Sequence, residues 1–243
     1  LVLVLTCHFL PKAYSQTGGT LDNSFATVGF TSYGFPQANA TCSAAALQTD
    51  GKLVLAGQYT TGNTATLAVV RFSNAGLPDS SFGINGQVLI PFTNPNVEAS
   101  VVQILNDGSI LIAGKSNNLP LLIKMNYSGM LSGNFGTAGI LSFDNGLSGI
   151  IDLVILEDGK IVGCAKKADQ FCVFKRDENG LEEISFGMAG FSCIDVGPIS
   201  VLSRMTVQTD GKILLTGSVN NAATKNDMVA IRLTKNGTLD NSF

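Results

Sequence analysis

The sequence predicts an all-β chain built as a β-propeller, with about four blade units of four short antiparallel strands each. Three observations carry this. An Asp-Gly turn recurs as Asp50-Gly51-Lys52, Asp107-Gly108-Ser109, Asp158-Gly159-Lys160 and Asp210-Gly211-Lys212, at spacings of 57, 51 and 52 residues. A second marker keeps step with it: Leu21…Phe25, Leu77…Phe82-Gly83, Leu131…Phe135-Gly136, Leu181…Phe186-Gly187 and Leu239…Phe243. A period of this length marks stacked supersecondary units that bury their faces against their neighbours. The strands after the turns are continuous apolar runs, such as Leu53-Val54-Leu55-Ala56 and Ile213-Leu214-Leu215, which implies burial on both faces. Radial stacking of small sheets provides such burial and leaves only short edges. A two-sheet sandwich is the alternative, but it leaves the likeness of the four units unexplained.

The second unit shows the elements in order. Ala99 to Leu105 is a β-rich run. Asp107-Gly108 supplies residues that tolerate positive φ, as a tight two-residue hairpin requires. Ser109 to Gly114 is the return strand, Lys115 to Asn118 a polar loop, and Leu119 to Met125 a third strand closed by Tyr127-Ser128-Gly129. After Phe135-Gly136-Thr137-Ala138-Gly139 comes a fourth strand, Ile140 to Phe143. No window carries apolar residues at helical spacing behind a capping box.

The full pattern is L-D-x-S-F-G-x-x-G, an apolar strand, Q-x-D-G-K-I/L-L/V-x-x-G, then V/I-x-R-F/L-x-x-x-G. It stands here as Asp22-Asn23-Ser24-Phe25, Leu47-Gln48-Thr49-Asp50-Gly51-Lys52-Leu53-Val54-Leu55-Ala56-Gly57 and Val70-Arg71-Phe72. This resembles the delta-60 repeat, over residues 21 to 243. Units two and three depart from it: Asn106 and Glu157 precede their Asp-Gly turns, and Ser132-Gly133-Asn134 replaces the acidic segment. The resemblance implies a propeller-like array of the kind found in large exported bacterial proteins, and it is nearly silent on function. The arrangement is also similar to NHL repeats. That likeness implies an innermost strand before each Asp-Gly hairpin, which puts Thr41 to Ala46 near the axis, and an outermost strand after F-G-x-x-G. Residues 26 to 35 are then an orphan outer strand. Either it completes the fourth blade and closes a ring, or the four units are a fragment of a longer propeller that exposes two apolar blade faces and associates.

Residues 1 to 15 read as the remnant of a signal peptide. Leu1 to Leu10 is apolar apart from Thr6, Cys7 and His8, and Ala13 and Ser15 fit a small-residue cleavage site before Gln16. The stretch is too short to span a bilayer, so no membrane span is expected in the mature chain, residues 16 to 243. Export places that chain at the cell surface or outside the cell, in an oxidising compartment. Four cysteines remain there: Cys42, Cys164, Cys172 and Cys193. Cys164 and Cys172 flank the polar loop Lys166 to Gln170. They are expected either to bridge across a hairpin or to be small packed sites.

The chain has 243 residues, is 45% hydrophobic and 14% charged, and carries a net charge of −3 with no Lys/Arg block, which argues against a nucleic-acid partner. Its single histidine, His8, falls in the expected leader, so the mature chain is expected to have neither a Ser-His-Asp triad nor a His-ligated metal site. It has no Cys-x-x-Cys, no phosphate loop and no D-x-[DN]-x-[DN]-G calcium loop. The expectation is therefore no catalytic, cofactor-binding or metal-ligating residue, no cofactor, and no enzyme activity. The four Asp-Gly carboxylates are explained by turn chemistry.

Two other groups of residues stand out. Arg71, Lys124, Lys175 and Arg232 place a cation at one strand position in every unit. They read as snorkelling side chains, or as partners of Asp22, Asp79, Glu182 or Asp240, or as a ring for an anionic glycan. Tyr33, Tyr59, Tyr127 and Phe35 are candidates for sugar stacking or for blade-edge packing. Three functional classes remain open: a binding or adhesion scaffold for a protein or glycan ligand, a structural spacer, and a sialidase-like propeller enzyme. The first is the preferred reading.

Overall fold

The computed structural model describes residues 20–62, 64–92, 96–221 and 223–243. The expected leader, with Cys7, His8 and the cleavage site before Gln16, lies outside the described residues.

Among the described residues the chain forms four antiparallel sheets in sequence order. Blade 1 is β1 (Asn39–Leu47), β2 (Leu53–Thr61), β3 (Thr64–Phe72) and β4 (Gln87–Pro91). Blade 2 is β5 (Val97–Ile104), β6 (Ile110–Ser116), β7 (Leu119–Met125) and β8 (Ile140–Ser142). Blade 3 is β9 (Ile150–Ile155), β10 (Ile161–Lys167), β11 (Gln170–Arg176) and β12 (Phe191–Asp195). Blade 4 has three strands, β13 (Val201–Val207), β14 (Ile213–Asn221) and β15 (Lys225–Leu233). The first strands β1, β5, β9 and β13 contact one another in succession, so they are innermost.

The Asp-Gly segments do join the first and second strands, but not as two-residue turns. Gln48 N donates to Lys52 O and Gly51 N to Gln48 O, and the same pair of bonds recurs in every unit. Only the glycine is left-handed: φ is 82° at Gly51, 80° at Gly108, 80° at Gly159 and 82° at Gly211. This is a three-residue loop, a type I turn with a left-handed glycine behind it. The Asp carboxylate caps it by accepting the backbone N–H two residues on, at 3.2 Å from Lys52, 2.9 Å from Ser109, 3.2 Å from Lys160 and 3.1 Å from Lys212.

The apolar runs fill the spaces between blades. Val54, Ala56, Leu67 and Val69 of blade 1 meet Ile110, Ile112, Ile123 and Met125 of blade 2. Leu111 and Leu122 meet Ile161 and Phe174, and Val162, Phe171 and Val173 meet Ile213, Leu215 and Leu233. Each of these side chains larger than alanine contributes about 1.5–3 kcal/mol on burial.

A second contact joins the blades near the hairpin end. Phe82, Phe135 and Phe186 are buried, each against the glycine that ends the third strand of the next blade, Gly129, Gly180 and Gly237. A Cβ on Gly129 (φ 89°) would lie 3.0 Å from the Phe82 ring and 2.7 Å from Val88 Cγ2, so only glycine fits. The residue after each phenylalanine donates its N–H across the same joint: Gly83 N to Ser128 O at 2.9 Å, Gly136 N to Asn179 O at 3.4 Å and Gly187 N to Asn236 O at 2.8 Å.

Two expectations are corrected. Residues 26 to 35 form no strand and do not complete blade 4. Phe25 takes the slot at Gly76 instead, and Ala26 N donates to Ala75 O at 2.8 Å. Tyr33 and Phe35 then lie on the outward face of blade 1: Tyr33 packs edge-on against Phe72, and Phe35 stacks on Tyr59 with centroids 4.8 Å apart. The disulfide joins Cys172 to Cys193, not to Cys164. Register explains this: Cys172 lies opposite Ala165 on one side and opposite Cys193 on the other, whereas Cys164 lies opposite Val173 and points to the other face.

Candidate functional site

Three of the four periodic cations, Arg71, Lys124 and Arg232, have protein partners, and the fourth, Lys175, lies over the Phe186 ring at 6.0 Å. Arg71 is fully buried and donates through Nε to Asp79 at 2.8 Å; its guanidinium lies between the rings of Phe82 (4.6 Å) and Tyr127 (4.3 Å). Lys52 joins the same carboxylate at 3.0 Å, and Ser81 Oγ donates to it at 2.7 Å. Burial alone would raise the Asp79 carboxyl, but the bonds from Ser81 and Lys52 and the charge of Arg71 outweigh it and hold the group well below the ordinary carboxylate range. Blade 4 repeats the cluster: Arg232 meets Asp240 at 2.7 Å, Lys212 meets it at 3.2 Å, and Ser242 Oγ donates at 2.6 Å. In blade 3 the carboxylate is Glu183, bound by Lys160 at 2.9 Å, while Glu182 pairs with Arg176. Blade 2 has Ser132 at that place, and Lys124 donates to Glu178 O at 2.9 Å instead. Asp22 accepts from Ser24. A ring of cations open to a glycan is therefore not what these residues form.

Tyr127 belongs to the same joint, donating to Asp50 at 2.6 Å and accepting from Lys52 at 2.6 Å. Tyr33, Phe35 and Tyr59 do come together. Tyr33 and Phe35, with Ala40, Cys42, Leu55 and Val70, line an apolar recess of about 250 Å³ on the outward face of blade 1. Among the described residues no group of three or more His, Cys, Asp or Glu side chains is placed to hold a metal ion. No helix there is long and apolar enough to cross a membrane.

The polar cleft lies at the axis, where the four inner strands converge. Each carries one extra residue against its neighbour: Ser43, Ser100, Ile151 and Ser203. Such bulges re-aim side chains and bend the strand. They leave a cleft of about 420 Å³ lined by Ser43, Glu98, Ser100, Lys115, Ile151 and Arg204. Lys115 and Glu98 pair at 3.1 Å across its wall. Ser100 Oγ is within bonding reach of the carbonyls of Ala113 and Ile150, which ties blade 2 to blade 3. Arg204 differs from the hairpin-end arginines. It is exposed, donates only to the adjacent Ser203 O at 3.1 Å, and forms no ion pair among the described residues. Sequence reasoning missed it because it is not periodic. The signal was a charge at a repeat position held by Ala44 and Val101 in blades 1 and 2; Asp152 holds it in blade 3.

Blades, joints and axial cleft together define a β-propeller repeat protein. The sequence pattern of the family described as "Domain of unknown function (DUF5122) beta-propeller" matches residues 48–82 and 208–243, within the first and last units. No curated protein matches. Among solved structures, the Dos1 propeller superposes with a TM-score of 0.50 at 13% identity, over 82% of this chain and 46% of that one. A virginiamycin B lyase from Staphylococcus aureus gives 0.49 at 13% identity, over 84% and 56%. A protein of unknown function from Bacteroides caccae gives 0.44 at 13%, over 82% and 62%. The chain thus spans less than two thirds of the length of each, and at this identity the likeness is one of fold alone. The expectation of no enzyme activity is corrected here. Solved propellers similar to this chain include the lyase and a protein titled a putative gluconolactonase, so propellers can be enzymes and the fold does not exclude activity.

Proposed function

We propose that the chain is an exported interaction scaffold of delta-60-type repeats that binds an acidic group of a glycan or protein ligand in its axial cleft. The observation that carries this reading is Arg204, an exposed guanidinium with no ion pair among the described residues, set in a polar cleft to which the inner strands of all four blades contribute. A guanidinium offers a planar fork of donors that matches a carboxylate. Its neighbour Ser43 adds an exposed hydroxyl group, and the joints at the hairpin end tie the blades together. Export is supported by the Cys172–Cys193 disulfide, a bond that persists in oxidising compartments.

The test is binding to an array of oligosaccharides and peptides with and without carboxylates, for the native chain and Arg204→Ala. A charged hydrogen bond contributes about 1.5–3 kcal/mol, so affinity for acidic ligands should fall roughly 10- to 100-fold in the variant. Neutral ligands bound as tightly as acidic ones, or an unchanged Arg204→Ala, would refute the assignment.

A further inference from the structure

Arg204 is not the only cation in the axial cleft. Lys115 lines it too, paired with Glu98 at 3.1 Å, and both side chains are part-exposed, at 32% and 53%. An exposed pair of this kind holds only weakly against water. The register shows how it arises. Glu98 lies opposite Lys115 across β5 and β6, one step beyond the pair Ala99 and Gly114. In blade 3 the corresponding pair is Ile150 and Ala165, and the next residue, Lys166, crosses the joint to donate to Ser200 O of blade 4. Lys115 makes no such crossing bond. Its stem lies against Gly149 of blade 3, where an added Cβ would come within 2.7 Å of Lys115 Cβ. Its ammonium turns back to Glu98 of its own blade.

What that ammonium meets is already an acidic side chain, so Glu98 stands where a ligand carboxylate would stand. The pair serves no contact common to the units: blade 1 has Thr41 opposite Gln58 there, and blade 4 has Val201 opposite Ser218. Asp152, the other carboxylate near Arg204, accepts from the backbone N–H groups of Leu153 at 2.9 Å and Met205 at 3.0 Å, and forms no ion pair among the described residues. The cleft of about 420 Å³ is of small-ligand size. Among the described residues no aromatic side chain lines it, so it offers no ring face on which a sugar could stack.

We infer that the cleft recognises two carboxylates at once, carried by neighbouring acidic side chains of a partner peptide: Arg204 takes one, and Lys115 takes the other in exchange for Glu98. This rests on the assignment of Arg204 to an acidic ligand and adds the class of partner. Once the first carboxylate is seated, the second is held close by the peptide and binds as an intramolecular step. Glu98 is then a built-in competitor. A ligand with one carboxylate leaves the Lys115–Glu98 pair as it is, whereas a ligand with two must displace Glu98, so Glu98 sets how much the second carboxylate counts.

The test is calorimetric titration with capped peptides that carry a pair of glutamates, adjacent or spaced by glycine, against the same peptides with one or both glutamates changed to glutamine. Trigalacturonate is the acidic glycan for comparison. The best paired-glutamate peptide should bind the native chain at least roughly 10-fold tighter than its single-glutamate counterpart. Lys115→Met keeps an apolar stem against Gly149 and should erase that difference. Glu98→Gln should widen it several-fold, and Arg204→Ala should weaken both peptides. Circular dichroism checks that each variant folds. Equal binding of paired and single glutamates, a Lys115→Met chain that keeps the preference, or a Glu98→Gln chain that gains nothing overturns the inference. If Arg204→Ala still weakens acidic binding in that case, the reading of Arg204 survives it. Trigalacturonate bound more tightly than every peptide overturns the class of partner, and the absence of binding by any acidic probe overturns the inference together with the reading of Arg204.

Discussion

Phe82→Ala and Phe243→Ala change the same residue type at the same place in the repeat, and their effects should differ several-fold. Phe82 is fully buried between its own blade and Gly129 of the next, with the Arg71 guanidinium over its ring. Truncation removes a buried aromatic and leaves a cavity at a joint that cannot collapse, because the backbone bond from Gly83 to Ser128 holds the walls apart. That costs about 3–5 kcal/mol. It also strips one aromatic face from a buried cation, a further loss of about 1–2 kcal/mol. Among the described residues Phe243 is 64% exposed and meets the Arg232 guanidinium at 4.7 Å, an exposed contact with a value of about 0.5–1 kcal/mol. The assay is chemical denaturation at low protein concentration, followed by two probes so that a broken, unit-by-unit transition is recognised. Equal losses for the two variants, or a loss below about 1 kcal/mol for Phe82→Ala, would refute the account of the joint.

Three further outcomes are expected. The Asp79 carboxyl is held below its unfolded value of 3.8, so it contributes stability that is complete above that value and is lost as pH falls below it; Asp79→Asn should flatten the acid limb of a stability–pH curve between about pH 5 and 2. The Cys164 thiol is buried and pushed up to about 12, with desolvation the main cause, whereas Cys42 is exposed; iodoacetamide at pH 8 should label Cys42 in the native chain and spare Cys164, as peptide mapping will show. Loss of the Cys172–Cys193 bond, which closes a loop of 21 residues, should cost about 2–4 kcal/mol in denaturation of a Cys193→Ser chain.

Much of the fold was legible because it is written in local, repeated chemistry. The Asp-Gly loops need a left-handed glycine wherever they occur, and strands buried on both faces need apolar residues at consecutive positions, so four copies of each gave the blade and its period. What failed depended on partners distant in sequence. The bridge of Cys172 is decided by the pairing of β11 with β12 across an intervening loop, which no spacing reveals. Residues 26 to 35 carry the right pattern for an outer strand and make the right preceding loop, but pairing needs a third strand within reach, and they rest on blade 1 instead. Arg71 and Arg232 are identical in pattern to a ligand-binding ring. Only the neighbouring carboxylates, and for Arg71 the ring of Tyr127 from the next blade, show that the charges are spent inside the protein.

The division of labour between the two ends of the blades follows from these contacts. At the hairpin end units one to three each donate a phenylalanine and a backbone N–H to the next, so neighbouring blades are tied there in succession. Most of the charged residues at that end are paired with one another. At the axis the inner strands are bulged, and those of the first and last blades, β1 and β13, carry mostly exposed side chains. Residues there vary between units without breaking a joint: the position held by Ala44 and Val101 accepts Asp152, which caps Met205 N at 3.0 Å, and Arg204, which meets no such partner. On the proposed reading, the ligand is therefore to be sought at the axial cleft and not at the periodic cations, whose charges are taken up at the joints.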